Sequence, residues 1–310
     1  MTTRVELIAG PPSSGKTTIT QNQFGHYERL NRDVMGGTVR ALLPMMDSFL
    51  AQGKNVVLDN LFTTAAERIP FVQMAKKRGA TVGCTFIEAD INDCMANACR
   101  RMWKNHGRIL SPDEIKSSKN PNDISPTPFF LYRKRVEVPT MDEGFDDVQI
   151  VDGWKWTPGP EYTNKAIIFD YDGTLRTSSG KYPLTTDDID IFPGRKLIID
   201  KYKNLGYILL GASNQSGIAK GELTEQDAHD CFQETNNQLG VDIEYNFCPH
   251  KVPPISCFCR KPQPGMGIYF IEKHKLDPSQ CIMVGDQTTD KTFAARCGFK
   301  FIHTDIFFNA

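Results

Sequence analysis

Apolar residues come in short, β-branched runs along this chain, set apart by longer stretches in which they recur at helical spacing. The runs are VELIAG (5–10), NVVLDN (55–60), TVGCTFIE (81–88) and VQIV (148–151), then AIIFD (166–170), YILLGA (207–212), CIMVGD (281–286) and FKFIHT (299–304). A strand that is apolar at nearly every position is buried on both faces, which is the condition of a parallel sheet covered by helices on each side. The pattern breaks at 152–164, DGWKWTPGPEYTN, where Gly, Pro and Trp interrupt it. The expected fold class is therefore α/β, with two doubly wound parallel-sheet domains: residues 1–152, a linker at 153–164, and residues 165–310. Ligands of such sheets bind at the carboxyl ends of the strands. The polar, proline-punctuated stretch 111–128 reads as a mobile lid rather than as core.

Composition narrows the function classes. The 310 residues carry a formal net charge of −1, so no global basic field advertises nucleic acid, and any such binding needs a local patch. No apolar run of about 18 residues occurs, and the strand-like VELIAG follows the first Met almost at once, so neither a membrane span nor a signal peptide is expected. Nine cysteines in such a chain read as reduced thiols plus a metal site. The expected location is the cytoplasm.

Gly10-Pro-Pro-Ser-Ser-Gly15-Lys16-Thr17 fits G-x-x-x-x-G-K-[ST] between a strand and a helix. Glycines let the backbone curl so that its N–H groups and the helix N-terminus face a phosphate. Gly10, Ser13, Ser14, Gly15, Lys16, Thr17 and Thr18 are the candidate ATP contacts, with Lys16 on the β/γ-phosphates and Thr17 on Mg²⁺. The loop, together with YERLNRD, GKNVVLDN, NACRRM and YRKRVEVPTMDEGF, resembles the kinase domain of polynucleotide 5′-kinase/3′-phosphatases. That resemblance implies Asp33 as the general base for a 5′-hydroxyl and Asp59 as the group orienting it. It also implies an arginine among Arg100, Arg101 and Arg108 reaching the γ-phosphate from the lid.

Phe169-Asp170-Tyr171-Asp172-Gly173-Thr174 follows a strand without a gap. Two aspartates two apart in extended chain point the same way. One can attack phosphorus while the other handles protons, and their mutual repulsion calls for Mg²⁺ and a cation. The D-x-D-G-T motif resembles the haloacid dehalogenase phosphatases. By that resemblance Asp170 is the nucleophile, Asp172 the acid/base, Ser213 and Lys261 the phosphate contacts, and Asp170, Asp172, Asp286 and Asp290 the Mg²⁺ set.

Cys248, His250, Cys257 and Cys259 supply four soft ligands, a Cys₃His set suited to structural Zn²⁺. This loop (248–259), with SNQSGIAKG and CRKPQPGM, resembles the histidinol-phosphate and heptose-bisphosphate phosphatases, which carry zinc there. TSSGKYPLTTDDIDIFPG (177–194) resembles the polynucleotide 3′-phosphatases instead. The order of the two halves is that of the phage-type bifunctional enzyme. The expectation is therefore an end-healing enzyme that phosphorylates 5′-hydroxyls and hydrolyses 3′-phosphates of DNA or RNA, using ATP, Mg²⁺ and structural Zn²⁺, in functional coupling to a ligase. Two alternatives stand beside it: a kinase for a hydroxymethylated base in DNA, and a small-metabolite kinase fused to a histidinol-phosphate or sugar-phosphate phosphatase.

Overall fold

The computed structural model describes residues 2–251 and 256–309. Contacts divide the chain into two compact units: Met1–Asn97 with Thr127–Trp156, and Ala98–Pro126 with Thr157–Ala310. In chain order the elements that build the first half are β1 (Arg4–Ala9), α1 (Lys16–Phe24), β2 (Glu28–Leu30), α2 (Arg32–Met35), α3 (Leu43–Ala51), β3 (Val56–Asp59), α4 (Ala65–Lys77), β4 (Thr81–Glu88), α5 (Ile91–His106), α6 (Pro112–Ser117), α7 (Thr127–Arg135) and β5 (Asp147–Asp152). Five of them form an all-parallel sheet in the order β2-β3-β1-β4-β5.

The two-sided burial read from the sequence is visible in how β1, β3 and β4 distribute their side chains. Val5, Leu7, Val56, Leu58, Val82 and Cys84 face a core shared with Met46 and Leu50 of α3 and Phe71, Val72 and Ala75 of α4. The alternate positions Ile8, Val57 and Ile87 face a smaller cluster with Ile19, Phe24 and Tyr27. Period-two alternation with both faces apolar gives the continuous runs of the sequence. The three-residue edge strand β2 carries no run of its own and is absent from the sequence expectation; Glu28–Leu30 becomes a strand by pairing with Val56–Leu58.

The second half contributes β6 (Ala166–Phe169), β7 (Arg176–Thr177), β8 (Asp190–Ile191), α8 (Arg195–Asn204), β9 (Ile208–Asn214), α9 (Ser216–Lys220), α10 (Glu225–Leu239), β10 (Glu244–Cys248), α11 (Gly265–His274), β11 (Ile282–Gly285), α12 (Thr288–Cys297), β12 (Lys300–His303) and α13 (Thr304–Phe308). Its sheet, β10-β9-β6-β11-β12, is also parallel throughout, and β7 and β8 form a separate antiparallel pair. Helix α10 starts at a capping box between Thr224 and Asp227 and stops at Gly240, whose φ of 64° is the left-handed conformation that ends helices. Strand β10 mixes polar and apolar residues at the sheet edge, which hid it in the sequence.

The sequence expectation read residues 98–126 with the first domain. In the structure they group with the second unit. The rings of Trp103 and Tyr269 meet edge to face at 5.6 Å, and Arg100 lies 3.4 Å from Glu272. Nor is 111–128 a bare polar lid. Helix α6 carries a Ser111/Glu114 capping box, and the buried Asp123 accepts from Ser118 at 2.6 Å and pairs with His106 at 3.0 Å. A buried carboxylate needs such partners, and these tie the segment back to α5.

Candidate active sites

The functional side chains of each unit lie at the carboxyl ends of its own central strands. In the first unit the loop after β1 turns through Gly10 (φ 150°), Ser13 (φ 58°) and Gly15 (φ 97°) into α1. A Cβ on Gly10 would meet the Ile87 carbonyl at 2.9 Å, so both backbone angle and space require glycine there. Lys16 Nζ donates to the carbonyls of Gly10 and Pro11 at 3.1 and 2.6 Å. Ser13 and Ser14 are fixed through their carbonyls, which accept from Asn97 and from the Trp154 N–H. Thr18 is exposed on the first turn of α1.

Asp59, ending β3, is 1% exposed. Its Oδ2 accepts from Thr17 Oγ1 at 3.0 Å and from both Nε and Nη2 of Arg29, at 3.1 and 2.5 Å. Arg29 escaped the sequence analysis, although it lies inside the YERLNRD motif; being on an unrecognised strand, its direction was not readable. Asn31 donates to the Asp59 carbonyl at 2.6 Å and caps α2 by accepting from the N–H groups of Asp33 and Val34. Asp33 is thereby held on the first turn of α2, half exposed and paired with Arg32 at 2.7 Å. The structure thus brings Lys16, Thr17, Asp59 and Arg29 together and tethers the turn bearing Asp33 to the same strand end. The three candidate lid arginines are engaged within the second unit. Arg100 faces Glu272, Arg101 donates to the Asn122 carbonyl at 2.9 Å, and Arg108 pairs with Glu114 at 2.5 Å.

In the second unit Asp170 follows β6, Ser213 lies in β9, and Asp286 follows β11. Lys261 Nζ bridges Asp170 Oδ1 at 2.8 Å and Asp290 Oδ1 at 2.7 Å, with all three side chains buried. Burial pushes the Asp170 carboxyl up to about 7 against the pull of Lys261. Burial works against the Lys261 charge too, but its two carboxylate partners outweigh it and hold its pKa above the ordinary lysine value. Asn214 fixes the lysine's backbone by donating to its carbonyl at 3.0 Å and accepting from its N–H at 2.9 Å.

Ligand oxygens of Asp170, Asp286 and Asp290 all lie within 4.8 Å of one another. Asp286 Oδ1 is buried without a hydrogen-bond donor among the described residues, and burial raises its pKa. A buried acceptor left in this way beside two more carboxylates suits a hard divalent cation. The Asp172 side chain stands outside that group: Arg176 Nε donates to its Oδ1 at 2.8 Å and Gln215 Nε2 to its Oδ2 at 2.8 Å. Gln215 Nε2 also donates to Ser213 Oγ at 3.0 Å. Arg176, Gln215 and Asn214 were missed in the sequence; an arginine four residues after an aspartate was the available signal.

Beyond β10, the Sγ atoms of Cys248, Cys257 and Cys259 and Nδ1 of His250 all lie within 4.8 Å of one another. Neighbouring donors are 3.2 to 3.6 Å apart. Ligands at about 2.3 Å around one tetrahedral ion would be roughly 3.8 Å apart, so the set fits a closed Cys₃His site. The Cys257 thiol is held down by hydrogen bonds from Cys248 and Cys259, while both of those thiols are pushed up.

Comparison with known proteins finds separate likenesses for the two halves. The profile of an AAA domain family matches residues 5–114, and that of a HAD-hydrolase-like family matches 258–305. The D-glycero-beta-D-manno-heptose-1,7-bisphosphate 7-phosphatase of Helicobacter pylori is 33% identical over 133 residues, spanning 41% of this chain and 76% of its own. That of Haemophilus influenzae is 36% identical over 136 residues, spanning 41% and 73%. A solved D,D-heptose 1,7-bisphosphate phosphatase from B. bronchiseptica, complexed with magnesium and phosphate, is 27% identical, covers 45% of this chain and 79% of its own, and gives a TM-score of 0.41. The chain belongs, through its second half, to the HAD-like phosphatase family that includes these enzymes. Its first half is a P-loop, kinase-like domain.

Proposed function

We propose that this protein is a bifunctional enzyme, an ATP-dependent kinase joined to a magnesium-dependent phosphatase whose substrate is a small sugar phosphate. The observation that carries the phosphatase reading is the Lys261 bridge between Asp170 and Asp290, with Asp286 alongside. The sugar-phosphate class is supported by the identity to heptose-bisphosphate phosphatases.

Asp170 attacks phosphorus as the bond from phosphorus to the sugar oxygen breaks, and the proton of Asp172 passes to that leaving oxygen. An aspartyl phosphate results. Water then attacks it, giving a proton to Asp172, and the bond from phosphorus to the Asp170 oxygen breaks to release phosphate and restore both carboxyl groups. Lys261 neutralises charge on Asp170 and the phosphate throughout. Asp170 and Asp286, with Asp290 behind them, would hold Mg²⁺, which offsets charge between carboxylates and phosphate. In the kinase, Lys16 and the N–H groups of the loop would receive the ATP phosphates, Thr17 and Asp59 would hold Mg²⁺, which would offset the phosphate charge, and Asp33 would take the proton of the acceptor hydroxyl.

A second reading, healing of nucleic-acid ends, is supported by the Asn31 side chain, which joins the turn bearing Asp33 to the Asp59 carbonyl across the motifs YERLNRD and GKNVVLDN. Separating the two takes one set of assays with ATP and Mg²⁺. One arm offers an oligonucleotide bearing a 5′-hydroxyl and a 3′-phosphate; the other offers heptose bisphosphate, other sugar phosphates and histidinol phosphate. Dephosphorylation of the small esters with the oligonucleotide untouched is the expected outcome. Loss of the 3′-phosphate with gain of a 5′-phosphate would replace it with the end-healing reading.

A further inference from the structure

We propose that Arg176 is a positioning residue for the phosphatase, one that fixes Asp172 for proton transfer and keeps its carboxylate out of the metal cluster. The inference rests on the phosphatase reading above and adds to it a residue with no recognised part in the chemistry. Arg176 is 1% exposed, among the largest fully buried side chains of the molecule. Burying a guanidinium costs free energy unless every donor is used well.

Here the donors form a strut. Nε donates to Asp172 Oδ1 at 2.8 Å, while Nη1 donates to the Cys231 carbonyl at 2.7 Å and to Thr235 Oγ1 at 2.8 Å. The latter two lie on α10, so the guanidinium is anchored on a helix that carries no reacting group. The rings of Tyr171 and Phe232 lie 5.3 and 4.9 Å from its Cζ and leave it little freedom. Gln215, also 1% exposed, holds the other Asp172 oxygen. Both oxygens are therefore held by rigid neighbours, and the Asp172 side chain is absent from the Asp170, Asp286 and Asp290 cluster.

The division of labour follows. Asp170 meets phosphorus and cation, while Asp172 is held aside, where its proton can pass to the leaving oxygen. A misplacement of about 1 Å in such a group costs on the order of 10²-fold in rate. A defect in leaving-group protonation also has a signature that general loosening lacks. An alkoxide must be protonated as it leaves, whereas p-nitrophenolate leaves without a proton.

The test compares full-length wild type with Arg176→Met and Arg176→Lys on a sugar phosphate or glycerol phosphate and on p-nitrophenyl phosphate, with thermal unfolding measured alongside. The expected result is a fall of about 10²-fold on the alkyl ester and of less than about 10-fold on the aryl ester. Arg176→Lys keeps the buried charge but loses the Nε contact, so it serves even if Arg176→Met does not fold, and its selective loss is expected in the same direction. Equal losses on both esters in a folded variant would overturn the inference and leave Arg176 a purely structural strut. Wild type inactive on every ester would instead remove the phosphatase reading itself, and the inference with it.

Discussion

At the scale of single residues, chemistry depends on which groups are given partners and which are left without. The four donors Cys248, His250, Cys257 and Cys259 have mostly one another, in a cluster too tight for independent side chains and too rich in sulfur for an ordinary hydrogen-bonded turn. One tetrahedral ion would satisfy all four, and with no ligand position left open it would brace the loop rather than activate water. Lys261 comes two residues after Cys259, and Gln215 is tied to Cys248 by an N–H to carbonyl bond of 2.8 Å, so bracing the loop also steadies two phosphatase contacts. Elemental analysis of the purified protein should therefore find about one zinc per chain. Cys257→Ser should lose it, melt at a lower temperature and show a reduced phosphatase rate, with the kinase unchanged. A wild-type protein free of zinc after expression in zinc-replete medium would contradict the ion.

At the scale of elements, strands were legible wherever they form a mostly apolar run, the edge strands β5 and β12 included, and illegible where they do not, as at the edge strands β2 and β10. VELIAG and AIIFD declare themselves because their strand positions are apolar almost throughout, the buried Glu6 being an exception, and each delivers its motif at the correct end. Glu28–Leu30 and Glu244–Cys248 do not, since an edge strand is specified by its neighbour as much as by itself. That residues 98–126 group by contacts with the second unit was unreadable for a related reason: contacts such as Arg100 with Glu272 join residues far apart in sequence, and no local period encodes them. The same holds for the partners of Asp59 and Asp172, where the carboxylates were evident from motifs but Arg29 and Arg176 were not. A testable case of such long-range pinning is the start of β5. Asp146 accepts from the Val82 N–H at 2.7 Å and pairs with Lys76, which holds its carboxyl below the ordinary aspartate value. A depressed carboxyl contributes stability above its unfolded pKa and loses it as pH falls through the folded one. Asp146→Asn should thus melt below wild type at pH 7, and the gap should close as pH is lowered through and below about 4. A gap that is constant across that range would mean the charge contributes nothing.

For the whole molecule, the distribution of cores decides how far a local change should spread. One core gathers residues from Val5 to Phe145 around the first sheet, another gathers residues from Ile167 to Phe308 around the second, and each candidate site is built at the strand ends of its own sheet. No helix among the described residues is long and apolar enough to cross a membrane. Lys16 belongs to neither core, and its Nζ donates to two carbonyls of its own loop; Asp170 is buried, but its partner Lys261 lies in the same unit. Lys16→Ala should therefore cut ATP-dependent phosphorylation by about 10³-fold or more while leaving phosphate release within about twofold. Asp170→Asn should do the reverse, since an amide cannot form the aspartyl phosphate and the Lys261 partner of Asp170 lies in its own unit. Measuring both activities of both variants in the intact chain checks this. Joint loss from either change, in protein that melts like wild type, would mean that the two chemistries are one coupled cycle rather than two sites carried by one polypeptide.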